Sequence, residues 1–404
     1  MREPKEIVGN GETGIMSPFD KIVDRTGTES MKWVYPRQIL GVADAIPMWV
    51  ADMDFEAPPA VVDALRRRAE HGVFGYPLVP PSLYAAAMGW LERRHGWKVE
   101  KSWMTVTPGI VAALNYCVPA LTKPGDGIII QTPVYHPFYY AIENHGRRVV
   151  RNPLRFDGRR YTMDLDDLER KIEAPGQLLI LCSPHNPVGR VWTRDELDRL
   201  GRIAVERDLV VISDEIHHDL VFPGHRHQVL AALSPEIAAR TVTCIAPSKT
   251  FNIPGLSTAA VIASNPDFLK RVENGAERAG YDLGQIFGLV GFEAAYAHGD
   301  DWLDALLPYL EGNVDLLEAF LADRLPEIKL IRPEGTYLAL LDCRALGLAP
   351  DALNDFFLKR AGVYFSDGAM FGKELEGFVR VNFGCPRSVL RDALERIERA
   401  VRSK

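Results

Sequence analysis

The sequence predicts an α/β protein with a mostly parallel central sheet and a smaller α+β unit near its C-terminal end. Three observations carry this. From about residue 103 to 263, short apolar β runs alternate with helical stretches. Those β runs are apolar almost throughout, the pattern of strands covered on both faces. Over the last hundred residues the pattern changes, with helical stretches surrounding two separate β runs. A chain of 404 residues has enough material for two or three domains and a sizeable core.

Taken in order, residues 1–16 are Gly- and Glu-rich without periodicity, and a mobile tail is expected there. Residues 17–60 have too little periodicity to stand alone and are expected to pack with the C-terminal unit. A large domain is expected over 61–300 and a small α+β domain over 301–404. The strand candidates of the large domain are 103–107, 128–131, 178–182, 209–213, 241–245 and 259–263. Between the third and fourth, Thr193-Arg-Asp-Glu196 forms a capping box. It opens a helix with Leu197, Leu200, Ile203 and Ala204 on one face. In the small domain, helical stretches at 304–325 and 351–361 surround β runs at 336–341 and 377–383.

Composition narrows the function classes. Apolar residues make up 47% and charged residues 25%, an ordinary soluble balance. A net charge of −7 provides no electrostatic footprint for nucleic acid or an anionic membrane. The longest nearly apolar run, 110–121, is too short to span a bilayer, and no signal-type segment is visible. A cytoplasmic location is the default expectation. The cysteines Cys117, Cys182, Cys244, Cys343 and Cys385 are scattered without a CxxC, so structural disulfides are not expected.

In open α/β sheets, ligands sit beyond the carboxyl ends of the strands, so the residues that follow each strand candidate form a test. After the first come Pro108, Gly109 and Ile110. A glycine at a strand-to-helix turn lets backbone N–H groups approach a phosphate, or it is simply a tight turn. After the second comes Tyr135, a stacking surface for a flat heterocycle or ordinary packing. After the third, Asn186-Pro187-Val-Gly189 reads either as a turn or as an amide donating to a phenolate oxygen. After the fourth come Asp214, Glu215, His217 and His218. A buried Asp214 would pair with a pyridinium N–H, and His217, three residues on, would reach the same ring's oxygen. A metal site drawing on His225 and His227 is the rival reading, but no HExxH or comparable spacing supports it. After the fifth comes Ser248-Lys249-Thr250. A lysine among hydroxyls and apolar residues is placed to be desolvated, neutral and nucleophilic towards an aldehyde; otherwise it is a surface charge. Ser248 and Ser257 are candidate phosphate ligands. Together the five segments describe a site for pyridoxal phosphate (PLP).

Longer motifs add a family. The runs 47–55 (PMWVADMDF), 183–192 (SPHNPVGRVW), 213–217 (SDEIH), 248–256 (SKTFNIPGL) and 380–387 (RVNFGCPR), with Gly75-Tyr76, resemble those of the MalY/PatB-type cystathionine β-lyases. These C–S lyases form a branch of the class I/II aminotransferase superfamily. The resemblance runs from about residue 17 to 400. It implies the PLP-dependent transferase fold of type I and a PLP cofactor linked to Lys249. It implies Tyr135 stacked on the ring, Asp214 on the ring nitrogen, and Asn186 on the phenolic oxygen with His217 beside it. Gly109, Ile110 and Ser248 would hold the phosphate together with Tyr76 from a partner subunit, so a homodimer is expected. Arg380 would clamp the α-carboxylate of an amino-acid substrate. Two departures from the wider superfamily stand out: His217 occupies a position that is often tyrosine, and no arginine follows the lysine within 253–257. The implied activity is β-elimination from L-cystathionine or related cysteine S-conjugates. The alternative is amino transfer between an L-amino acid and a 2-oxo acid. No metal, nucleic acid or membrane partner is expected.

Overall fold

The computed structural model describes residues 17–281 and 284–404. The tail expected over 1–16 lies outside the described residues. In chain order the strands are β1 (Ile46–Pro47), β2 (Met104–Thr107), β3 (Gly127–Ile130), β4 (Arg148–Arg151), the hairpin β5 (Arg155–Phe156) and β6 (Tyr161–Thr162), β7 (Leu178–Cys182), β8 (Val210–Asp214), β9 (Thr241–Ile245), β10 (Ala259–Ile262), β11 (Lys329–Ile331), β12 (Leu338–Asp342), β13 (Val363–Tyr364), β14 (Ser366–Asp367) and β15 (Phe378–Asn382).

Seven of them form the central sheet, in the order β2-β10-β9-β8-β7-β3-β4. Strand β10 runs antiparallel to both its neighbours, while the β9-β8-β7-β3-β4 ladder is parallel. The carboxyl ends of β2, β3, β7, β8 and β9 therefore share one edge. Strands β3, β7, β8, β9 and β10 are buried at every residue, as their unbroken apolar runs predict. Alternation divides them between two cores. Ile128 and Ile130 face the layer of Leu114, Phe138 and Val272, and Ile129 faces the layer of Leu197 and Leu200. The helix Arg194–Glu206 opens on the expected capping box, with Thr193 Oγ1 accepting from the Glu196 N–H and Glu196 answering at the Thr193 N–H.

The C-terminal sheet is antiparallel, in the order β11-β12-β15-β14. The helix Arg387–Arg402 buries Leu390, Ala393, Leu394 and Ile397 on one stripe. Strand β1 pairs in parallel with β13. The Asn382 amide donates to Val50 O and Asp52 O, both at 2.7 Å, and Asn252 donates to Met53 O and Phe55 O. These bonds place the segment 49–55 against the carboxyl edge of the central sheet.

The differences from the sequence reading are local. Asp214 is the last residue of β8 rather than the first after it. Trp103 belongs to a 3-10 turn (Lys101–Trp103) ahead of β2. The long helix starts at Asp300, where Asp300 and Asp301 fill its first turn. All five cysteines are buried and free. Among the described residues no helix is long and apolar enough to cross a membrane.

Candidate active site

A cavity of about 240 Å³ opens at the shared carboxyl edge. Lys249 lies in it, on the turn after β9. Its Nζ donates to Ala51 O at 2.6 Å, and the Tyr337 hydroxyl donates to the same oxygen at 2.9 Å. Burial, with Arg380 nearby, brings the Lys249 amine down to about 8 against the pull of Asp52 and Asp214. The amine is thereby desolvated and gives up its proton more readily than an exposed lysine does.

Asp214 and His217 face the same cavity from β8 and its turn. Burial, reinforced by Glu215, raises the Asp214 carboxyl to about 7, although the Ile216 N–H (3.2 Å from Oδ1) and Lys249 act the other way. A carboxyl so raised suits a site that receives a cationic N–H. His217 is held neutral by burial and by the cations Lys249 and Arg380, and its buried Nδ1 has no partner among the described residues.

Gly109 and Ile110 line the same cavity. Gly109 has φ +101°, and no atom lies within 4 Å of where a Cβ would stand. It leads directly into the helix Ile110–Leu121, whose first N–H groups are the unpaired donors that favour an anion. Ser248 and Ser257 line the same space. With Tyr135 and Asn186 also on the wall, the donor set fits PLP: an acid for the ring nitrogen, an amide for the phenolic oxygen, an aromatic face, an amine, and a glycine-led helix start.

Arg380 sits on β15, paired across to Leu340 and Ser366. It is 4% exposed. It donates to Asn186 Oδ1 at 3.0 Å, Trp49 O at 2.8 Å and Ser366 Oγ at 3.1 Å, and its carbon lies 4.7 Å from the Phe371 ring centroid. Burial lowers it to about 10, so it remains a cation at neutral pH. Its buried Nε has no partner among the described residues, and Arg380 itself is not among the residues that line the cavity.

Tyr76 is not part of this cavity and is 94% exposed, alongside the exposed Val73, Phe74 and Leu78. His217 and His218 diverge, as adjacent residues do. His218 joins His95 and Asp219, whose ligand-type atoms lie within 4.8 Å of one another. His227 pairs with Glu215 at 2.8 Å, and His225 stands 3.9 Å from Glu334. Residue-level reasoning missed Ala51, Trp49, Ser366 and Tyr337. The first two fall in the 47–55 motif that carries the family resemblance, but a backbone carbonyl leaves no side-chain signal. Tyr337 falls in the β run expected over 336–341 but lies one residue ahead of β12, and nothing local distinguishes it from a core tyrosine.

The model for the family described as aminotransferase class I and II matches residues 43–397. The chain belongs to that family. Among relatives, this class I/II member is 45% identical over 386 residues to cystathionine beta-lyase PatB of Bacillus subtilis, covering 95% of this chain and 99% of that one. It is 33% identical to protein MalY of Escherichia coli, covering 96% and 100%. The solved structure of cystalysin from Treponema denticola, which contains a pyridoxal 5'-phosphate cofactor, superposes with a TM-score of 0.92 at 35% identity, covering 96% and 100%. The fold is thus the type I fold expected from the sequence.

Proposed function

We propose that this class I/II family member is a PLP-dependent carbon–sulfur β-lyase. It cleaves L-cystathionine or related cysteine S-conjugates by α,β-elimination to pyruvate, ammonia and a thiol. One observation carries the reading: Lys249, Asp214 and Asn186 meet in a single cavity, in a chain alike over nearly its whole length to a cystathionine β-lyase.

When bound, PLP supplies an electron sink for the pair of electrons left at the substrate α-carbon. Gly109, Ile110, Ser248 and Ser257 hold its phosphate. Asp214 holds the ring N–H, Asn186 and His217 the phenolic oxygen, and Tyr135 the ring face. Arg380 binds the substrate α-carboxylate and so sets which bond at the α-carbon faces Lys249. The Lys249 amine then takes the α-proton. The β-carbon–sulfur bond breaks with its electrons going to sulfur, and the Lys249 ammonium is the nearest proton donor to the departing thiolate. Hydrolysis of the released aminoacrylate gives pyruvate and ammonia. The same residues also serve amino transfer, in which Lys249 returns the proton elsewhere. The relatives named as lyases favour elimination.

The exposed apolar segment around Tyr76 supports a homodimer in which Tyr76 reaches the partner's phosphate site. A cytoplasmic location fits the same reading. The deciding experiment supplies L-cystathionine to the PLP-loaded protein without any keto acid. Steady-state pyruvate release is expected, with none from Lys249→Ala. Negligible pyruvate together with amino transfer that requires 2-oxoglutarate would instead make the protein an aminotransferase.

A further inference from the structure

Behind the cavity lies a buried polar layer that takes no part in the chemistry above. Asp219 is its centre. Its Oδ1 accepts from the Trp90 indole N–H at 2.9 Å, and lies 2.8 Å from His95 Nε2 and 3.2 Å from His218 Nε2. Its Oδ2 accepts from the Thr250 hydroxyl at 2.7 Å. Burial opposes ionisation of Asp219, but His218, His95 and Thr250 outweigh it and hold the carboxyl well below the usual carboxylate range. Glu215 extends the layer, accepting from the Ser213 hydroxyl at 2.7 Å and lying 2.8 Å from His227 Nε2.

Thr250 directly follows Lys249 and is fully buried. The turn that carries both residues is closed by the Phe251 N–H to Pro247 O and the Ile253 N–H to Ser248 O, each at 2.9 Å. Two side chains then tie it down: Thr250 to Asp219 on one side, and Asn252 to Met53 and Phe55 on the other. A long lysine side chain is delivered only as accurately as the backbone beneath it, and misplacement by an ångström is expensive in rate.

We propose that Thr250 and Asp219 are positioning residues for Lys249. Their hydrogen bond fixes the turn that delivers the lysine amine, while Trp90 and His95 hold the carboxylate in place. This rests on the role of Lys249 given above.

The test uses Thr250→Val, which removes the hydroxyl at nearly constant shape, with Thr250→Ser as the rescue. The readout is the pH midpoint of the lysine–cofactor absorption band in the PLP-loaded protein without substrate. The groups facing Lys249, namely Asp52 from the 49–55 segment, Asp214 and His217 from β8 and its turn, Tyr337 just ahead of β12, and Arg380 from β15, are unchanged in both variants. Thr250→Val is expected to move the midpoint by roughly half a unit or more. It should also lower kcat about tenfold with little change in KM, while Thr250→Ser keeps the parent's values. A folded, fully loaded Thr250→Val protein with the parent's midpoint and kcat overturns the proposal. Should that variant fail to fold, Asp219→Glu moves the carboxylate by one methylene, and an unmoved midpoint there overturns it equally. The substrate-free titration separates this proposal from the lyase reading. A normal band without pyruvate release would sink only the lyase assignment, whereas absence of the band from the parent protein would sink both.

Discussion

Arg380 donates to the side-chain oxygen of Asn186 at 3.0 Å, joining a strand of the C-terminal sheet to the loop after β7. The bond orients the amide. With Oδ1 occupied, the Asn186 NH₂ is the group left to donate into the cavity. One arginine therefore fixes the amide proposed to meet the cofactor, while its own buried Nε has no partner among the described residues.

Arg380→Lys should expose that dual role. A lysine ammonium cannot reproduce a planar fork that reaches Asn186, Trp49 O, Ser366 and a substrate at once. Roughly 2–3 kcal/mol of charge-assisted hydrogen bonding is lost, which is about a hundredfold in kcat/KM. The lysine–cofactor band should persist. Initial rates across a substrate series check this, and an unchanged kcat/KM would remove Arg380 from substrate binding.

Asp214 makes a prediction about stability. In the cofactor-free fold burial holds its proton up to about pH 7, whereas the unfolded chain releases it near 3.8. The folded state then binds more protons across that window, so stability present at low pH is lost as pH rises through it. Asp214→Asn removes the titration. The cofactor-free variant should melt above the parent at about pH 8, by at most about 4 kcal/mol equivalent, and the gap should close towards pH 4. Calorimetry of both proteins across that range measures it, and a gap independent of pH would contradict the assignment. The loaded variant should lose activity, because Asn cannot stabilise a cationic ring nitrogen.

The strand-end residues were legible because one rule collects them: ligands lie beyond the carboxyl ends. That rule found Gly109, Tyr135, Asn186, Asp214 and Lys249 without any contact map. It could not find Ala51 or Tyr337, which meet Lys249 only because β1 pairs with β13 and Asn382 bonds to Val50 and Asp52. Strand β4 was missed because an exposed edge strand reading Arg-Val-Val-Arg carries only two apolar residues. His95 and Trp90 lie 124 and 129 residues from Asp219, too far for any local period to associate them.

Gly109→Ala tests the proposed phosphate site. At φ +101° an alanine is strained whatever the space around it. Strain of about 1–3 kcal/mol should appear as lower stability of the loaded protein. The added methyl also enters the open space through which a phosphate approaches the first N–H groups of the helix. PLP affinity, measured by equilibrium dialysis, should fall about tenfold or more. Retained affinity would place the phosphate elsewhere.

Tyr76 and Lys249 can be tested as a pair, because the proposed dimer puts them in one site from two different chains. Lys249 is buried in its own chain's cavity, and Tyr76 projects from the surface of that chain. Homodimers of Lys249→Ala, or of Tyr76→Ala, should each be close to inactive. Unfolding the two variants together and refolding them makes hybrids, in which one site carries both substitutions and the other carries neither. Random pairing makes half the dimers hybrids, each with one intact site of two, so about a quarter of the parent activity should return. If Tyr76 acted within its own chain, every hybrid site would keep one lesion and mixing would restore nothing. Recovery on mixing therefore reports directly which chain supplies the tyrosine.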